Sequence, residues 1–361
     1  MRVLIAPDKF AGTLTAVEAA TALAVGWARH APDDVLDLAP MADGGPGFVD
    51  VLHTALGGDL LAVTVRGPGG DAQPATLLRV GDEAYVESAQ ACGLHLTRGE
   101  GAEAATTYGV GELVRVAVEG GARRVVVGLG GSGTNDGGAG LLAALGATAD
   151  VPLDRGATGL AGVTTVDLTA ARARLEGVTL VAATDVDSPL TGLFGATKTF
   201  GPQKGIPEER LPAVDGLLEA FAAATGRRTS LDKGAGAAGG LGFALLTLGA
   251  TRRPGVDLVA ESLDLAERAR LADLVVTGEG AFDFSSRSGK VPYGVAQIAE
   301  GALRPCVVIA GQVLVGSREM RALGVESAYS LVDLVGEERA FSAPAEALAE
   351  LAERIARTWS R

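Results

Sequence analysis

The run GLGGSGTNDGGAG at residues 128–140 is the densest cluster of chemistry-bearing positions in the chain. Glycines let backbone N–H groups approach a phosphate closely, and a helical run expected at 141–145 adds partial positive charge at its N-terminus. Gly130, Gly131, Ser132, Thr134 and Asn135 are therefore candidate ligands for a nucleotide phosphate or its metal. Gly128, Gly130 and Gly133 also satisfy GxGxxG, which keeps a nicotinamide dinucleotide fold as an alternative. That fold needs a second strand ending in an acid about twenty residues on. Asp150 stands near that place, but 146–149 is a weak strand pattern. Glycines that merely permit tight turns are the third reading. A second GxGxxG match, GAGAAGGLG at 234–242, lacks a preceding strand and is weak by itself.

Paired acids come next. Asp185 and Asp187 flank Val186 at the end of a strand pattern, and alternate side chains of an extended chain share a side. Such a pair suits Mg²⁺, which takes one or two carboxylates together with substrate phosphates. Capping of the turn at Ser188-Pro189 is the competing reading. The lysines Lys9, Lys198, Lys204, Lys233 and Lys290 are few against the arginines, and all fall at expected strand ends or in loops. A compact ammonium there can reach a phosphate oxygen. Asp8-Lys9, Asp43, Glu279 and Gly311-Gln312 all lie beyond the carboxyl ends of expected parallel strands, the side on which open α/β sheets bind ligands.

Several chemistries are excluded. Gly289-Lys290 is followed by Val291 and lacks the upstream glycine of a Walker A sequence. No GxSxG elbow occurs, and His30, His53 and His95 are scattered. Cys92 and Cys306 are far apart, outside any CxxC spacing, and are expected as buried free thiols.

The elements that must position these residues alternate between strand and helix. Strands are expected at 2–6, 35–38, 124–127, 179–183, 274–277, 306–310 and 329–332. Thr15 and Glu18 form a capping box for a helix running to about residue 28, and another helix is expected at 111–118. Between 61 and 89, β-rich runs at 62–65, 76–80 and 84–86 are broken by Gly/Pro turns, which suggests antiparallel pairing. A final helix, capped by Ser342, carries the stripe Leu348, Leu351, Ile355 and Trp359. The first two strands and the last three would make a five-stranded parallel sheet of order 2-1-3-4-5. The fold class is thus α/β with two α/β domains. Residues 1–60 with 256–361 are expected to form one domain around that sheet, and 61–255 an inserted domain with a mixed sheet and both glycine loops.

Composition bounds the partners. At 361 residues two domains are the natural expectation, and 47% hydrophobic with 4% aromatic residues suits Val/Leu/Ile/Ala cores around parallel strands. A net charge of −13 without a basic block argues against nucleic acid and anionic membrane as partners. The apolar start is stopped by Pro7-Asp8-Lys9, and the run at 241–250 is too short to cross a bilayer, so a cytoplasmic protein is expected. Monomer and homodimer are both open.

In chain order, IAPD (5–8), MADGG (41–45), TTYG (106–109), GGS and TNDGG (130–138), DVD (185–187), FGPQKG (200–205), GAGAAGG (234–240) and TGEG (277–280) resemble the bacterial glycerate kinases that lack a P-loop. The resemblance covers essentially the whole length. It implies ATP- and Mg²⁺-dependent phosphorylation of D-glycerate at the 2-hydroxyl, giving 2-phosphoglycerate, with the active site in a cleft between two α/β domains, one of them flavodoxin-like. On that reading Lys9 and the residues of the 130–135 loop serve the nucleotide phosphates. Asp8, Asp43, Lys204 and Glu279 serve the substrate, and Asp185 with Asp187 serves the metal. Lys290 is catalytic, and Asp185 or Asp283 accepts the hydroxyl proton. Pro46, Phe48 and Ala281 stand where the family usually has Glu, Thr and Arg, which bears on the acceptor, and Arg287 is a candidate replacement guanidinium. The alternatives are a kinase of another small hydroxy acid, an NAD-dependent dehydrogenase and a non-catalytic nucleotide sensor.

Overall fold

The computed structural model describes residues 1–10, 12–283 and 290–360. The chain begins β1 (Arg2–Ile5), α1 (Ala16–His30), β2 (Val35–Leu38), α2 (Phe48–Leu56), β3 (Asp59–Arg66), β4 (Ala72–Val80) and β5 (Glu83–Glu87). It continues through α3 (Tyr108–Glu119), β6 (Arg124–Gly128), α4 (Ala139–Ala144), β7 (Thr179–Ala183), α5 (Leu211–Thr225), α6 (Ala237–Thr247) and β8 (Thr251–Arg253). The last part holds β9 (Leu274–Phe282), α7 (Val291–Gly301), β10 (Cys306–Val313), β11 (Ser327–Ser330) and α8 (Pro344–Trp359). Two compact units result. One comprises Met1–Asp43, Asp50–Leu56 and Gly255–Arg361, the other Gly44–Val49 and Gly57–Pro254. The sequence put the seams at 60/61 and 255/256 and gave 44–49 to the first domain.

The first unit is a parallel sheet of order β11-β10-β9-β1-β2, the topology expected from the motif order. Its core joins Val3, Ile5, Leu23, Trp27, Val276 and Ile309 to Leu348, Leu351 and Ile355. The Thr15–Glu18 capping box is present at the start of α1. Helices α1 and α8 touch closely at Gly26, where an added Cβ would come 2.0 Å from the Ala349 carbonyl oxygen. Two sequence expectations shift here. Ser342 ends a short helix (Glu337–Ser342), and Ala343 precedes α8, whose first turn carries Pro344. The strand expected at 329–332 ends at Ser330, because the Ser330 hydroxyl accepts from the Asp333 amide at 3.2 Å and starts a helical turn, Leu331–Val335.

The second unit carries a mixed sheet of order β8-β7-β6-β5-β4-β3. β3, β4 and β5 pair antiparallel, whereas β5–β6, β6–β7 and β7–β8 are parallel. Its core is built from Val125, Val127, Leu141, Leu142, Phe221, Phe243 and Leu245 with their neighbours. The weak strand expected at 146–149 is a two-residue pairing of Thr148–Ala149 with Val166–Asp167. Asp150 caps the Thr164 segment there, through the Thr164 amide at 3.1 Å. Asp150 therefore does not stand as the ribose-reading acid of a dinucleotide fold. Cys92 and Cys306 are buried free thiols. Among the described residues no helix is long and apolar enough to cross a membrane.

Candidate active site

In the first unit the strand order reverses between β1 and β9, and the polypeptide leaves both strands on the same edge. Backbone bonds carry the sheet beyond its formal ends: the Asp8 amide donates to the Gly278 carbonyl at 2.8 Å, and the Met41 amide to the Pro7 carbonyl at 2.9 Å. The Thr277 hydroxyl donates to the Ala6 carbonyl at 2.8 Å. These contacts fix Asp8, Asp43 and Glu279 at the carboxyl edge. A cavity of about 390 Å³ opens there, lined by Asp8, Lys9, Asp43, Glu279 and Lys290 at its polar end. Phe10, Leu331, Val332 and Phe341 form much of its apolar wall.

The polar end holds two lysines among carboxylates. Lys9 Nζ lies 3.5 Å from Asp8 Oδ1 and 3.6 Å from Asp43 Oδ1. Lys290 Nζ lies 3.8 Å from Glu279 Oε2 and 3.7 Å from Asp283 Oδ1. Burial opposes the charge on Lys9, but Asp43 and Asp8 outweigh it and hold the ammonium above its ordinary range. Asp8 is pushed up to about 6, first by burial and then by Asp43, with Lys9 opposing both. Lys290 occupies the position before α7, where the extended backbone turns into the helix. Ala281 lines the same cavity, and Arg287 lies outside the described residues.

The glycine loop of the second unit has an exposed crest and a buried root. Gly130 is half-buried and Gly131 exposed, while Ser132, Thr134, Asn135 and Asp136 are buried. The Asp136 carboxylate accepts from the Thr107 amide and hydroxyl, both at 2.9 Å, and from the Gly138 and Gly140 amides. Burial pushes its carboxyl up against the pull of these bonds. The Ser132 and Thr134 hydroxyls are 2.8 Å apart, and the Thr134 amide donates to Ser132 Oγ. Asn135 donates to Thr197 Oγ1 at 2.9 Å, and its Oδ1 is buried with no partner among the described residues. The side chains that sequence reasoning offered to phosphate thus brace the loop. The amides of Gly130, Gly131 and Ser132 have no acceptor among the described residues.

The two GxGxxG runs, separate in sequence, stack on each other. Ala238, Gly239 and Gly240 all have positive φ, and the Gly137 amide donates to the Gly239 carbonyl at 3.0 Å. A Cβ on Gly239 would sit 2.0 Å from the Thr134 carbonyl oxygen, so the second run serves the first by letting backbone meet backbone. On its other side the loop meets residues 44–48: Gly130 approaches Gly45, Gly131 approaches Pro46, and Gly128 approaches Phe48. Phe48 is fully buried edge-on to Tyr85. Pro46 and Phe48 are accordingly packing positions beneath the glycine loop in this chain.

Lys204 departs from its expected role. It is 2% exposed, and its Nζ donates to the Thr134 carbonyl at 2.7 Å, so it holds the loop from below and is not placed to touch an acceptor. Burial lowers its pKa to about 8, against the attraction of Cys92 and Asp136. Asp185 follows β7 as expected. Asp187, however, puts its oxygens on Lys233 Nζ at 2.7 Å and on the Arg252 guanidinium at 2.6 Å. Lys198, expected at a strand end or in a loop, sits in a short helix (Ala196–Phe200) 3.6 Å from Asp215.

Comparison with known proteins decides the family. The model of the glycerate kinase family matches residues 3–360. The chain belongs to the glycerate kinase family. It is an enzyme, a phosphotransferase with an alcohol group as acceptor. Glycerate kinase of Bacillus subtilis is 39% identical, over 99% of this chain and 97% of that protein. Glycerate 2-kinase of Escherichia coli is 36% identical, over 93% of this chain and 92% of that protein. A crystal structure from Salmonella typhimurium, described as a candidate glycerate kinase 2, superposes with a TM-score of 0.82 at 36% identity. It covers 99% of this chain and 98% of its own.

Within this family member, sequence reasoning found Asp8, Lys9, Asp43, Glu279, Asp283 and Lys290, and the first unit brings them together. It missed Thr13, Leu331, Val332, Ala340 and Phe341, which complete the cavity wall. The Ser330–Asp333 spacing was the available signal, since a cap at Ser330 moves Leu331 and Val332 from the strand to its carboxyl end.

Proposed function

We propose that the protein moves the γ-phosphoryl group of ATP onto the 2-hydroxyl of D-glycerate in the cytoplasm, giving 2-phosphoglycerate. The observation that carries this reading is the pair of lysines, each flanked by carboxylates, in one cavity at the switch point of a parallel sheet. Phosphoryl transfer needs positioning and charge neutralisation more than covalent help. An ammonium can hold the carboxylate of glycerate while neighbouring acids accept hydrogen bonds from its hydroxyls. The name of the Escherichia coli relative supports the 2-hydroxyl. ATP is assigned to the second unit, where the amides of Gly130, Gly131 and Ser132 suit phosphate oxygens.

Mg²⁺ arriving with ATP would neutralise charge on the β- and γ-phosphates. Asp185 suits it as a single protein carboxylate, because Mg²⁺ keeps several waters and phosphate oxygens. Asp187 does not suit it as the structure stands, since both of its oxygens are engaged by cations.

The test is ADP release with ATP, Mg²⁺ and a panel of small hydroxy acids. D-glycerate is expected to be the preferred acceptor. Preference for another hydroxy acid by tenfold or more in kcat/KM would overturn the acceptor assignment.

A further inference from the structure

We propose that Asp8 takes the proton from the acceptor hydroxyl through its Oδ2 oxygen. This rests on the reading of the first-unit cavity as the acceptor site.

Among the described residues, Asp8, Asp43 and Glu279 line that cavity, Asp283 stands beside it against Lys290, and their surroundings differ. Glu279 and Asp283 face Lys290 at 3.8 and 3.7 Å, and Asp43 faces Lys9 at 3.6 Å. Asp8 is divided between its two oxygens. Oδ1 accepts the Lys9 amide at 2.7 Å and faces Lys9 Nζ at 3.5 Å. Oδ2 has no hydrogen-bond partner among the described residues, and it belongs to a side chain that lines the cavity. The backbone amide anchors the carboxylate in one orientation, so the second oxygen is presented and needs no rearrangement. Asp8 is also only 6% exposed, which leaves little water to compete for the incoming hydroxyl.

Among the described residues, the charged groups near Asp8 come from several elements. Lys9 comes from its own segment, Asp43 from the segment after β2, Glu279 from β9, and Lys290 from the start of α7 with Asp283 beside it. Burial and Asp43 raise the basicity of Asp8, while Lys9 restrains it. The carboxylate is then ionised near neutral pH yet able to hold a proton, the balance a general base needs. Asp185 is the weaker candidate, because a carboxylate spent on a metal ion has little basicity left.

The step balances. The O–H bond of the acceptor breaks and its proton passes to Asp8 Oδ2. The acceptor oxygen bonds to the γ-phosphorus, the bond from that phosphorus to the β–γ bridging oxygen breaks, and ADP leaves.

The experiment is steady-state kinetics of D8N and D8E against wild type across pH 5–9, with melting curves on each protein. D8N is expected to lose about 100-fold or more in kcat, with KM for ATP and D-glycerate held within about threefold. The acidic limb of the wild-type profile should vanish in D8N and return, displaced, in D8E. A kcat within fivefold of wild type, a loss confined to the KM of D-glycerate, or an unaltered acidic limb in D8N would each overturn the proposal. Should D8N fail to fold, the D8E profile decides: a displaced limb supports the role, and an unmoved one removes it. If wild type prefers another hydroxy acid, the comparison is run with that acceptor, so failure of the glycerate assignment stays separable from failure of Asp8.

Discussion

At the scale of single residues, what matters most is where charge is buried. Asp8 has a folded pKa of about 6 against an ordinary 3.8, so the fold prefers it protonated. The stability this group contributes is therefore complete below about pH 4 and is lost as pH rises through 6, a difference of about 3 kcal/mol. D8N should melt higher than wild type at pH 8, and the gap should close as pH falls toward 4. Equal melting temperatures across that window would show that burial of Asp8 costs nothing. Lys204 leads to a different expectation. Replacing it with Met should raise KM for ATP at least about fivefold by freeing the Thr134 carbonyl, while KM for D-glycerate stays within about twofold; a loss of about 1–3 kcal/mol for an unpaired buried acceptor is enough for this. The converse pattern would return Lys204 to the acceptor. Asp187→Ala should leave the Mg²⁺ requirement unchanged, whereas Asp185→Ala should raise it severalfold in a Mg²⁺ titration of activity. The sequence disclosed these residues because their types are rare and their neighbours distinctive. It did not disclose their roles, since burial of Lys204 and the divided contacts of Asp8 depend on segments distant in the chain.

At the scale of elements, the glycine loop works as a layered object. Its crest offers backbone amides, its root is a ring of side-chain bonds around Asp136, and a second glycine turn supports it. Gly239→Ala would force a Cβ into the Thr134 carbonyl at a residue with φ of 69°. It should cost about 3 kcal/mol or more in unfolding free energy, read by denaturant titration. A cost below about 1 kcal/mol would mean that the loop can relax around the second turn. The helix caps show why element boundaries were partly legible. Thr15 and Glu18 satisfy each other within one turn, a local device that a sequence displays. The strand expected to run to 332 and the cap expected at Ser342 both fail because a serine near a strand end or a Pro looks alike as a cap or as a non-cap, and the packing of the following turn decides.

At the scale of the whole molecule, the order of motifs revealed the five-stranded topology because parallel α/β sheets leave few alternatives once strands and crossovers are counted. The mixed sheet of the second unit was legible through its Gly/Pro-punctuated hairpins. The composition of the first-unit cavity was not, because its lining is drawn from stretches scattered between residues 8 and 341. Family membership fixes a phosphotransferase with an alcohol acceptor; the donor, the acceptor carbon and the metal are the parts that the proposal adds. Chelation with EDTA should stop turnover and added Mg²⁺ should restore it, whereas undiminished turnover in EDTA would remove the metal from the account. The most direct measurement is phosphorus NMR of a reaction containing the enzyme, ATP, Mg²⁺ and D-glycerate. The account predicts ADP and a single monoester signal coupled to the one proton on C2, as in 2-phosphoglycerate. A monoester coupled to the C3 methylene protons, or no phosphoglycerate at all, would contradict it.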